Sequence, residues 1–388
     1  MRQRLGFVLA LLGVLTGCSS TPAPIDPATK QASSNDPAAA RPALEVAPVV
    51  ISPFSESELE ARFERGRALL LAEKFKEAAE LFDQLVRLAP DGETAAPSLY
   101  NGALAREGLA ERAEAIARYD QLFARFPKHA LTRGATFRLS RLYGYLERWA
   151  DLDRNADLIL AMPDRSVLET IGAHGEKALA LVEQDKLDEA SRQVNQARDL
   201  IEQHRLGEAG KPPIELAEVA FALGEVRRKK SEKIAFQPVP PNFGEVLEQR
   251  CQGLLDAQNA YVEAMRSYDA HWSAMAGYRV GQLYQQLHRD VMQVPPPDKA
   301  DTLRKKQLFE GAMRLRYRVL LEKGLAMMEG TVRLGDRTGE DSLWVTRARE
   351  AQRDLALHLE DEKNALAKLP FTEAEILEAL GKLKKPLP

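Results

Sequence analysis

A chain of 388 residues is long enough for a large core or an extended repeat array. Its formal net charge of −3 excludes the global basic field of a nucleic-acid binder. It has two cysteines, Cys18 near the start and Cys251 in a helical context, at most one disulfide, so the fold must rest mainly on packing.

The chain opens with Arg2 and Arg4, followed by an almost unbroken apolar run from Leu5 to Leu15. That run is shorter than the roughly 20 residues a membrane-spanning helix needs, and it has the form of a signal-peptide core. It ends in Leu15-Thr16-Gly17-Cys18. The ending, behind a basic-then-apolar start, resembles the lipobox of bacterial lipoproteins. The resemblance implies a signal peptide over residues 1–17 and acylation of Cys18, with the chain anchored to a membrane by its lipid. Buried acyl methylenes contribute about 0.8 kcal/mol each. Ser19 follows the cysteine where an aspartate would signal retention, which by the same resemblance implies an outer-membrane location with the body in the periplasm.

Residues 18–53 are dominated by Pro, Ala, Ser, Thr and Asp, with almost no large apolar side chain before Leu44. Such a segment buries too little surface to offset its ordering entropy, so a disordered tether is expected. As flexible coil it would span roughly 30 Å.

After Pro53 the texture becomes charged and rich in Ala and Leu, with helical periodicity and no strand pattern. Gly66, Ala68, Phe75, Ala78, Phe82 and Pro90 fall on the small, aromatic and proline positions of a helical-hairpin repeat. The skeleton recurs. Ala78, Ala115, Leu152 and Ala190 repeat at the close-packing position, and Phe82, Tyr119, Ala156 and Val194 four residues on. Phe75, Arg112, Trp149 and Leu187 repeat at the turn, and Pro90 returns as Pro127 and Pro163. These positions resemble tetratricopeptide (TPR) repeats of bacterial outer-membrane lipoproteins, the broad class of envelope assembly factors and pilotins. Arg62 and Arg65 depart from the pattern by replacing apolar residues. The expectation is an all-α, TPR-like helical-hairpin solenoid over residues 54–208.

Residues 209–388 are expected to add further helical hairpins with long helices and proline-rich breaks. Breaks fall at Gly210 to Pro213, Pro238 to Asn242 and Val294 to Pro297. Helices are expected over Ile214 to Lys233, Gly244 to Ser267, Thr302 to Leu334, Leu343 to Asn364 and Thr372 to Lys384, with Ala276 to Tyr284 beginning another hairpin.

No phosphate loop, metal helix or nucleophile elbow occurs, so neither cofactor nor metal is expected. The histidines lie too far apart in sequence for a local ligand cluster. The basic run Arg227-Arg228-Lys229-Lys230 reads as a solvated helix end, with contact to acidic polymers or lipid headgroups as the alternative. Cys251 reads as a small buried hydrophobe.

In TPR arrays the first helix of each hairpin lines a groove for partner peptides. Carrying that face onto this chain selects Phe63, Tyr100 and Phe137, and one turn further on Arg67, Leu104 and Arg141. Rings interleaved with arginines suit an extended or helical peptide carrying carboxylates; the alternative is that the rings fill the core between hairpins. The favoured reading is a non-enzymatic scaffold that binds envelope proteins or peptides, in outer-membrane assembly, a type IV pilus, gliding motility or secretion. A peptidoglycan-turnover enzyme on a helical scaffold is the alternative. A small-ligand-binding lipoprotein would require an α/β body that the pattern does not support.

Overall fold

The computed structural model describes residues 54–208 and 210–383. The leader, Cys18 and the tether lie outside them. The described chain is all-α, with fourteen helices, and none of them is long and apolar enough to cross a membrane. Its contacts divide it into two compact units, residues 54–159 and 160–383. The regular hairpins are α1 (Glu56–Leu71) with α2 (Phe75–Leu88), α3 (Ala95–Gly108) with α4 (Arg112–Arg125), α5 (Ala130–Tyr145) with α6 (Trp149–Ala161), and α7 (Val167–Glu183) with α8 (Leu187–Gln203). The division falls inside α6, so by contact the fourth hairpin groups with the second half of the chain, and the end of the regular repeats near residue 208 is not a break in packing.

The same turn closes all four hairpins. Glu73, Ala110, Glu147 and Asp185 each sit in the left-handed region, at φ of 57°, 58°, 55° and 58°. Around each, two backbone amides turn back onto the end of the first helix. Glu73 N donates to Leu70 O at 3.1 Å and Lys74 N to Leu69 O at 2.9 Å; Asp185 and Lys186 repeat this on Val182 and Leu181, both at 3.0 Å. These are Schellman-type caps that satisfy carbonyls orphaned by the helix end. Starts are equally explicit, with Ser55 and Ser166 forming capping boxes with Glu58 and Glu169. Phe126 is the residue after α4, and Pro127 then blocks continuation.

In the unit of residues 54–159, close approach of the helices depends on small residues. A Cβ on Gly66 would lie 2.7 Å from the Phe82 ring, and one on Gly108 2.6 Å from the Phe75 ring. The α3 helix, packed between α2 and α4, is buried along Ala95 to Ala105. By contrast α1 buries only Leu59, Phe63, Gly66 and Leu70. Arg65 is exposed, and the Arg62 guanidinium lies 4.0 Å from the Phe54 ring centroid. Neither side chain is in the core, which accounts for their departure from the repeat pattern.

The unit of residues 160–383 continues with α9 (Ile214–Glu232), α10 (Phe243–Met265), α11 (Ala270–Met292), α12 (Leu303–Thr338), α13 (Leu343–Ala367) and α14 (Glu373–Leu383). The helix expected to begin near Ala276 begins earlier, because Asp269 caps it by accepting from Trp272 N at 2.9 Å. At the start of α14, Thr372 and Glu375 form a reciprocal cap.

The solvated-end reading of the basic run needs correction. Arg227 donates to Asp256 O at 3.0 Å, and Arg228 is bound by Glu225 at 2.7 Å and Glu232 at 2.8 Å. Lys229 donates to Val182 O at 2.9 Å, Lys230 to Ser191 at 3.0 Å, and Lys233 pairs with Asp185 at 2.9 Å. The run fastens α9 onto the turn of the α7–α8 hairpin and onto α10.

A second charged joint forms the core of this unit. Glu225 is fully buried, accepting from Tyr261 at 2.5 Å and paired with Arg279 at 2.9 Å as well as with Arg228. Burial works to raise its pKa, but Arg279 and Arg228 outweigh it and hold the carboxyl down to about 2. Arg279 also lies over the ring of Trp344, 5.1 Å from its centroid, which ties α11 to α13. Cys251 is half-buried in α10, and burial pushes its thiol up.

Candidate functional site

The residues selected for the peptide groove, Phe63, Arg67, Tyr100, Phe137 and Arg141, all lie on first helices of the first three hairpins, within one unit. The structure separates them into two classes.

Phe63 and Tyr100 belong to the interior. Phe63 has no exposed surface, and its ring meets Phe82 with centroids 5.6 Å apart. Tyr100 is 5% exposed and packs edge-on against Tyr119 at 5.7 Å. Each ring pairs with the aromatic residue of its own hairpin's second helix, so neither is offered to a peptide. The expected three-ring ladder is corrected on this point, and the core-filling alternative holds for these two rings. The physical cause is the partner ring: Phe82 and Tyr119 stand at the packing position of the first two second helices, where the third has Ala156.

Phe137 is half-buried on α5, with the Arg133 guanidinium 5.5 Å from its ring centroid. Arg141, one turn on, is also half-buried. Arg67 is 21% exposed and grips both oxygens of Glu64 on its own helix, at 3.0 and 2.9 Å. Outside the core, the face therefore keeps Arg67 on α1 and the Arg133–Phe137–Arg141 line on α5. Arg133 was not among the residues the repeat phase selected. The signal for it was in the sequence, because residues four apart share a helix face.

Beside this line, Glu107 of α3 is the polar hinge of the unit. It accepts from Tyr119 of α4 at 2.6 Å and from Arg138 of α5 at 3.0 Å. Burial opposes the charge of Arg138, yet Glu107 more than offsets it and the guanidinium titrates above its ordinary range. Asp83 of α2 does the same one hairpin earlier, meeting Arg106 at 2.5 Å and Arg118 at 2.9 Å. These joints fix how one hairpin sits on the next, and so hold the α5 line in place.

No protein-family model and no curated protein matches the chain. Among solved structures it is similar to a tetratricopeptide repeat protein from Parabacteroides merdae, with 11% identity over 77% of this chain and 99% of that one, at a TM-score of 0.41. The yeast Sti1 TPR2AB-domain:pHSP90 complex matches at 13% identity over 79% of this chain and 100% of that one, with a TM-score of 0.20. At such scores the likeness carries no weight on function, and the repeat assignment rests on this chain's own period and turns.

Proposed function

We propose that this protein is a lipid-anchored scaffold of the bacterial envelope, held at the outer membrane through acylated Cys18, whose helical hairpins dock peptides or subunits of a larger machine. The observation that carries the reading is one hairpin recurring on one period behind a leader that ends in Leu15-Thr16-Gly17-Cys18. A hairpin stack offers an extended surface rather than a preorganised reactive pocket. The α5 line of Arg133, Phe137 and Arg141 suits a partner segment with an apolar or aromatic anchor flanked by carboxylates. The machine is one of outer-membrane assembly, pilus biogenesis, gliding motility or secretion.

The anchor is tested by labelling cells with a radioactive fatty acid and fractionating membranes. The parent chain should take up label and sediment with the outer membrane, while Cys18→Ser should be unlabelled and released. A Cys18→Ser chain that keeps the label would overturn the lipoprotein reading.

A further inference from the structure

A cavity of about 410 Å³ lies in the unit of residues 160–383, between the C-terminal end of α8, the start of α9 and the C-terminal end of α10. That volume is within the roughly 300–1,000 Å³ usual for ligand pockets. Its floor is apolar, formed by Leu216, Ala217, Ala220 and Leu223 of α9 with Ala260 of α10. Its rim carries four carboxylates, Asp199, Glu202, Glu208 and Glu263, against the guanidiniums of Arg198 and Arg205. Arg205 pairs with Glu208 at 3.3 Å, and Glu263 with Arg266 at 3.0 Å. Among the described residues Asp199 and Glu202 have no cation partner. Ser267 closes one end of the cavity, and next to it Tyr268 is 49% exposed and held at φ 57°. An apolar trough with an acidic rim suits a short extended segment that carries proline or leucine beside lysines.

The chain contains such a segment. Residues 384–388 read Lys384-Lys385-Pro386-Leu387-Pro388 and lie outside the described residues. Reach decides whose pocket they can fill. The cavity is at the C-terminal end of α10, a helix of 23 residues and so about 34 Å long. The N-terminal end of α10 lies beside the C-terminal end of α11, where Arg250 pairs with Asp290 at 3.2 Å. The C-terminal half of α12 runs along the first half of α11, with Gly281 against Met328, so the N-terminal half of α12 lies at the far end of α11 from the cavity. There α14 packs, with Glu373 on Arg318 and Ile376 beside Gly311, and it heads further away. Five extended residues span at most about 18 Å, too short to come back.

We infer that the cavity between α8, α9 and α10 receives the Lys-Lys-Pro-Leu-Pro segment of a second copy of this chain. The contact joins unlike surfaces, the tail of one molecule and the pocket of the next, so it closes a two-fold dimer where two copies exchange tails and builds rings or open chains where they do not. It does not depend on what the α5 line binds.

The test uses a fluorescently labelled peptide of residues 381–388 titrated with the full chain in detergent, alongside sedimentation velocity of the full chain and of a chain ending at Leu383. Binding should saturate and weaken as salt rises, because the rim pairs are screened. Glu202→Lys, at an exposed position that leaves the packing alone, should weaken binding about tenfold, and so should a peptide carrying Lys384→Glu and Lys385→Glu. The full chain should associate with rising concentration and the shortened chain should not. A peptide that fails to bind, or that binds Glu202→Lys equally well, overturns the pocket assignment. Peptide binding by a full chain that stays monomeric at every concentration overturns the second copy as the occupant.

Discussion

The phenol of Tyr119 donates to the Glu107 carboxylate at 2.6 Å, and the same carboxylate takes Arg138 at 3.0 Å, so one side chain of α3 joins α4 and α5. Burial pushes the Tyr119 phenol well above its ordinary range, which keeps it a donor at every physiological pH. Tyr119→Phe should lower stability by about 1–2 kcal/mol, since a hydrogen bond to a charged acceptor is lost without a cavity. Tyr119→Ala should cost about 3–5 kcal/mol, because the ring is fully buried. Urea denaturation followed by circular dichroism separates the two. Equal losses would mean that the ring alone matters and the hinge does not.

The repeated turn gives a prediction of opposite sign. Ala110 occupies the left-handed region at φ 58°, where a Cβ costs roughly 1–2 kcal/mol. Glycine removes that cost and adds a smaller entropic one. Ala110→Gly should therefore raise stability by about 0.5–1 kcal/mol, whereas Ala105→Gly, inside α3, should lower it. A higher urea midpoint for the first and a lower one for the second is the expected pattern.

The division of the candidate face is open to a paired experiment. Tyr100 is an interior ring, so Tyr100→Ala should cost about 3–5 kcal/mol of stability. Phe137 is half-buried and less committed to the core, so Phe137→Ala should melt closer to the parent while losing crosslinks to its partner in intact envelopes. If Phe137→Ala keeps every crosslink, the α5 line is not the docking face.

Acid sensitivity should trace to Glu225. Its carboxyl is held at about 2 in the fold against an ordinary 4.5, so its contribution is complete above about pH 4.5 and disappears as the pH falls toward 2. Glu225→Gln should be strongly destabilised at pH 7, by about 3–5 kcal/mol, because Arg228 and Arg279 lose their shared buried anion. Between pH 4.5 and 2 its stability should fall less than the parent's. Denaturation midpoints measured at several pH values check both statements.

The amino-acid sequence by itself determined the hairpin period, the close-packing positions and the prolines that follow the second helices of the first three hairpins. Intervals of 37, 37 and 38 residues between Ala78, Ala115, Leu152 and Ala190 reappear between the left-handed turn residues Glu73, Ala110, Glu147 and Asp185. These features are local, since a cap, a proline or a close-packing small residue acts within a few residues of itself. Only the tertiary structure decided which rings are inside and which charges are used. Phe63 and Phe137 occupy the same repeat position, yet the first is enclosed against Phe82 while the second is half-buried beneath Arg133. Periodicity marks the stripe but not which side chain stands across from it. The basic run at 227–230 looked free because the groups that take Lys229 and Lys230, Val182 O and Ser191, lie 47 and 39 residues earlier in the chain. Burial and ion pairing are properties of the neighbours that folding brings in, and those neighbours are distant in sequence.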